Sequence, residues 1–113
     1  MSANGVRHWK MQRITAVALI PLSIWFLVSL LALPGHDYTT VVTWMAQKWS
    51  AGLLMIFIAV GAWHSHLGVT VVFEDYIQGG TRTFWIVVSR IAHIFAAFAM
   101  IFAVFYVAFG SRA

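Results

Sequence analysis

Residues 14–33 read ITAVALIPLSIWFLVSLLAL, twenty positions without one charged side chain. As a helix at 1.5 Å per residue, this stretch rises about 30 Å, the thickness of a bilayer's hydrocarbon core. Two further apolar runs follow, at 49–73 and 84–109, and Arg90 is the sole Lys, Arg, Asp or Glu within them. The predicted fold is therefore an all-α membrane protein with three transmembrane helices, at about 14–33, 49–73 and 84–109, forming one domain over residues 1–113.

Composition supports that reading. Hydrophobic residues make up 62% of the 113 positions and charged residues 9%, against about 25% charged in a soluble domain. Mean hydropathy is +0.87. A chain this short buries only about 60% of its surface on folding, so most of its apolar side chains must meet lipid. There is no cysteine. That excludes disulfides, thiolate-bound metals, a cysteine nucleophile and a covalently attached haem. The net charge of +4 does not point to nucleic acid, because the basic residues sit at the ends of apolar runs, as topology signals do. Met1–Gly5 shows neither a cleavable apolar core nor an Arg/Ser-rich presequence. An unprocessed bacterial protein, or an organelle-encoded one, is expected.

Charge bias sets the orientation. Arg7, Lys10 and Arg13 precede the first helix and Arg82 lies in the second connection, while Lys48 and Arg112 fall on the other side. Four against two predicts the N-terminus inside and the C-terminus outside. Pro34-Gly35 ends the first helix, and Tyr38–Gln47 reads as a short interfacial helix with Tyr38, Trp44 and Trp49 at the headgroup level. Gly79-Gly80 marks the second turn. Pro21, inside the first helix, removes a backbone hydrogen bond and predicts a kink, mainly structural in a membrane.

Arg13, His64, His66, Arg90 and His93 lie in or near the hydrocarbon region, where a central charge costs roughly 2.5–3.5 kcal/mol. Function is expected along them. Gly61 and Gly68 stand three residues before and four after His64, on one helical face. They leave a flat recess of the kind a porphyrin needs. The alternative is close helix packing, with His64 hydrogen-bonded across the contact; spacing leaves both open. His66, roughly 200° around the helix, cannot ligate the same iron and is expected to contact a partner or a neighbouring helix. Arg90 and His93 form an i, i+3 pair. Their depth permits a His64–iron–His93 sandwich, although adjacent helices leave little room for one, and Arg90 is expected to meet an acid or a propionate from elsewhere. Asp75 falls on the His64 face at the inner end. Tyr76 follows, placed to donate to a carbonyl at the membrane surface, with Asp75 as a proton relay; ordinary interfacial residues are the alternative.

His64-Ser65-His66-Leu67-Gly68, followed by Glu74-Asp75-Tyr76, resembles the hydrophobic membrane anchors of succinate:quinone oxidoreductase, respiratory complex II. Asn4-Gly5-Val6 and Arg13-Ile14-Thr15-Ala16 are similar to that family's N-terminal region, and the three-helix length matches over nearly the whole chain. The resemblance implies that His64 is an axial ligand of haem b iron and that Tyr76 hydrogen-bonds ubiquinone, with Asp75 beside it. It also implies that Arg13 lies near the propionates and the quinone pocket. Where the family often has a histidine after Asn-Gly-Val, this chain has Arg7, with His8 next; either cation could face a propionate. Implied partners are a sister membrane protein, cytochrome b556, which would give the second axial histidine, and the soluble iron–sulfur and flavoprotein subunits docked on the inner face. The chain itself would do no chemistry alone, but would belong to a succinate dehydrogenase of the bacterial inner membrane, or the mitochondrial one. Competing readings are a quinol:fumarate reductase anchor, a small transporter component with a proton path through His64, Asp75, Arg90 and His93, and a structural assembly protein.

Overall fold

Between Ala3 and Leu31 only Pro21 could interrupt a helix, and one helix, α1 (Ala3–Leu31), runs through it. The computed structural model describes residues 3–110; Arg112, used above in the charge bias, lies outside them. Helix α1 begins at Ala3 rather than near Ile14. Arg7, Lys10, Gln12 and Arg13 are straight-chain residues with good helix propensity, so the helix continues past the apolar run. Hydrophobicity marks the stretch that can cross lipid, not the helix end. The helix stops ahead of Pro34, whose ring disfavours helical geometry at the residue before it. His36 Nε2 then donates to the Leu30 carbonyl at 2.8 Å, satisfying one of the orphan acceptors at a helix C-terminus.

Asp37 caps the short helix α2 (Tyr38–Ala46). Its carboxylate accepts from the Thr40 backbone N–H at 3.4 Å and from the Thr40 hydroxyl at 2.6 Å. The Thr40 hydroxyl bond holds the Asp37 carboxyl below its ordinary value of 3.8, because it favours the charged form. Helix α3 (Lys48–Tyr76) follows almost at once, and α4 (Thr81–Phe105) ends in a π-helical turn, Tyr106–Gly110. The tight α3–α4 connection depends on Gly79, whose φ of +86° costs glycine little and other residues more.

The central helix is α3, packed on α1 and on α4, while α2 rests against α3 and the π turn. The apolar core lies at the α2 end: Trp44, Ala51, Leu54, Val104 and Ala108, with Trp25 and Phe26 against it. Trp44, read from the sequence as an interfacial ring, packs into the core. It is buried, its ring stacked on Trp25 at 5.9 Å between centroids, an arrangement worth about 0.5–1.5 kcal/mol beyond area. Tyr38 and Trp49 are exposed, as interfacial rings would be.

Three helical spans, Gly5–Leu31, Lys48–Tyr76 and Thr81–Gly110, are long and apolar enough to cross a membrane, and at most 11% of the apolar window of any of them is buried within the chain. On α1 the exposed Val17, Ile20, Ile24, Leu27 and Leu31 recur at three- and four-residue spacing, an apolar stripe that needs lipid or other helices around it.

Candidate functional site

At the opposite end from the apolar core, the helix contacts become polar. Thr15 on α1 is buried, and its hydroxyl lies 2.9 Å from His64 Nδ1 on α3. The same oxygen is 2.8 Å from the Met11 carbonyl and 3.0 Å from that of Gln12. A threonine hydroxyl has one proton and two acceptor lone pairs. With the proton on a carbonyl one turn back, the oxygen accepts from His64 Nδ1–H. In that arrangement the ring carries its proton on Nδ1 and its lone pair on Nε2. Among the described residues Nε2 makes no hydrogen bond.

Around this ring the two glycines behave differently. A Cβ on Gly61 would meet Leu19 Cδ2 at 3.9 Å, so Gly61 faces α1 at ordinary contact distance. A Cβ on Gly68 would meet nothing within 4 Å, and the surface beside His64 on that side is open. Asp75 and Tyr76 end α3 as exposed side chains, Tyr76 at 82% exposure. The Arg13 guanidinium lies over the Trp9 ring, 5.5 Å from its centroid. Arg7 is exposed, while His8 is half-buried with Nε2 enclosed and unbonded among the described residues.

The other imidazoles turn elsewhere. His93 Nε2 pairs with the Ser65 hydroxyl at 3.0 Å, and its Nδ1 approaches the Ser89 carbonyl at 2.8 Å. His93 therefore belongs to the α3–α4 contact and His64 to the α1–α3 contact, which removes the intrachain iron sandwich. His66 meets the neighbouring helix α4 by a tilted ring contact and not by a hydrogen bond: its centroid lies 5.6 Å from that of His93, and 5.6 Å from that of Trp63 on its own helix.

Residues 2–108 match the family described as succinate dehydrogenase/fumarate reductase transmembrane subunit. The chain belongs to that family. The succinate dehydrogenase hydrophobic membrane anchor subunit of Rickettsia bellii is 34% identical over 91% of this chain and 83% of its own length. That of Rickettsia typhi is 30% identical over 93% and 85%, and that of Paracoccus denitrificans 31% identical over 74% and 64%. No solved structure matches the chain.

This chain is thus a membrane anchor of the succinate dehydrogenase kind. His64 offers one ring nitrogen without a hydrogen bond, and the described residues contain no group of three or more His, Cys, Asp or Glu placed to hold a metal ion. Sequence reasoning missed Thr15. Its level beside His64 emerges only from the observed helix bounds: Thr15 is twelve residues from Ala3 and His64 twelve from Tyr76, about 18 Å of rise along each helix, whereas a helix read from Ile14 puts Thr15 at its end.

Proposed function

We propose that the chain supplies His64 as one axial ligand of a haem b shared with a sister membrane protein of the complex, and Tyr76 and Asp75 to a ubiquinone-reduction site. The observation that carries this is the Thr15–His64 hydrogen bond, which holds Nδ1 and leaves Nε2 as a lone-pair donor. Ligand histidines are held this way by a second hydrogen bond that sets tautomer and ring orientation. The N-terminal end, with the α3–α4 turn, is the inner face, where the iron–sulfur and flavoprotein subunits dock on a bacterial inner membrane.

A haem b bound at His64 supplies one-electron storage beside the quinone. The chain's own residues position and protonate. The open surface beside Gly68 admits the flat face of a macrocycle. His8, with an unbonded buried nitrogen, and Arg7 offer donors to a propionate, and Arg13 leaves Trp9 to join them. Tyr76 donates its phenolic proton to a quinone carbonyl, and Asp75, beside it, passes protons from water. Every relative named above is a succinate dehydrogenase anchor, which favours quinone reduction over the reverse, fumarate-reducing flow.

The test is a reduced-minus-oxidised spectrum of the complex purified after co-expression with its partner subunits. Wild type shows a b-type α band, and His64→Ala weakens or shifts it. A wild-type complex without that band, or an unchanged mutant spectrum, refutes the assignment.

A further inference from the structure

On the far side of α3 from His64, a groove of about 260 Å³ lies between α3 and α4. We propose that it holds one anionic phospholipid, with the headgroup phosphate at Arg90 and an acyl chain lying toward Ile101.

The groove is ordered along its length. Arg90, His66 and His93 line the end nearer the α3–α4 turn, and Ala59, Ala97 and Ile101 line the other. From Arg90 to Ile101 is eleven residues, about 16 Å of rise. Polarity is therefore confined to one end, and the remainder is an apolar trough in which Ala59, Ala62 and Ala97 lie among Ile94, Phe98 and Ile101. An amphiphile has this distribution.

The charge is uncompensated. Arg90 makes no hydrogen bond or ion pair among the described residues. The chain's three acids, Asp37, Glu74 and Asp75, lie in the first connection and at the end of α3. A guanidinium within a span needs an anion or an escape to the surface. Helical side chains lean toward the helix N-terminus, which for α4 is the turn end. Arg90 thus reaches back toward the level of Trp85, an interfacial ring type. Phosphates reside at that level, and basic pockets between transmembrane helices take anionic headgroups. His66 strengthens the case. It is 3% exposed, lines the groove, and its ring makes no hydrogen bond among the described residues.

Native mass spectrometry of the intact complex, extracted from membranes in mild detergent, reads the lipid and the protein components together. Wild type should retain one anionic phospholipid. Arg90→Gln should lower that retention at least fivefold, and Arg90→Lys should keep most of it. Ala97→Trp, which fills the trough and leaves Arg90 in place, should also expel the lipid, with all protein components still present. The proposal is overturned if wild type carries no anionic phospholipid, or if Arg90→Gln and Ala97→Trp retain it as wild type does. A bound phosphate mass that survives Ala97→Trp overturns the acyl-chain assignment. Loss of a partner protein in Arg90→Gln, without prior lipid, assigns Arg90 to that partner's carboxylate instead.

Discussion

Replacing Thr15 by valine keeps the β-branched shape and removes the oxygen that lies 2.9 Å from His64 Nδ1. The change acts on two quantities. The His64 N–H, in the α1–α3 contact, loses its acceptor, which costs about 1–3 kcal/mol when a buried group is left unpaired. The ring is also freed to adopt the other tautomer, with the proton on Nε2, where it cannot bind iron. Loss of such an outer partner typically lowers affinity by about 10–100-fold, equivalent to about 1.4–2.8 kcal/mol at 1.4 kcal/mol per tenfold. The two estimates agree in size. The assay is haem per complex, measured by pyridine haemochrome on purified protein, after dilution into a haem-scavenging apoprotein to read the off-rate. Thr15→Val should lose haem about tenfold faster or more, and the b-type midpoint potential should move. Thr15→Ser, which keeps the hydroxyl, should restore both. If Thr15→Val keeps full occupancy, potential and off-rate, the hydroxyl does not hold the ligand, and the tautomer argument fails.

Tyr76→Phe should raise KM for ubiquinone or lower kcat by roughly two- to tenfold, the worth of one hydrogen bond of about 0.5–1.5 kcal/mol. Because Tyr76 is largely exposed, thermal stability should hold; steady-state quinone-reduction kinetics check the first outcome and a melting curve the second. Asp37 gives a pH signature. Its carboxyl is held below 3.8 in the folded chain, so its contribution to capping α2 is fully present above that value and is lost as pH falls through the lower, folded one. The Thr40 amide resonance of labelled complex should therefore stay constant from neutrality to about pH 4 and shift below 3.8. A shift centred near neutrality would contradict the cap.

Three spans are legible because lipid demands long runs without charge, and Ile14–Leu33 meets that demand by itself. Helix ends are less legible. Nothing in a hydropathy run records that Arg7, Lys10 and Arg13 continue a helix beyond lipid. The burial of Trp44 is not legible because a tryptophan near a span end suits an exposed ring and a packed one equally, and only the proximity of Trp25 and Phe26 shows that it is packed. At the proposed site, His64 stands out in the sequence through its glycine neighbours and its depth, yet its hydrogen-bond partner Thr15 does not. A threonine in a transmembrane helix is usually satisfied by its own backbone, as Thr15 partly is. Depth also suggests that His93 lies near His64. It does lie at that level, but α3 stands between them as the central helix, and the i+2 neighbour His66, not His64, faces His93.

The connection between α3 and α4 has a consequence for biogenesis. Only Ile77–Gly80 separates the two helices, too few residues for one to settle in the bilayer while the other waits in water. They must enter as a preformed hairpin, and Ser65 meets His93 as soon as they do. By then α1 has already left the ribosome. The Thr15–His64 contact spans 49 residues and closes only when the hairpin swings against the earlier helix. The imidazole meets its threonine at that moment, so the donor that the proposed haem ligation requires is set only in the last act of the chain's own insertion.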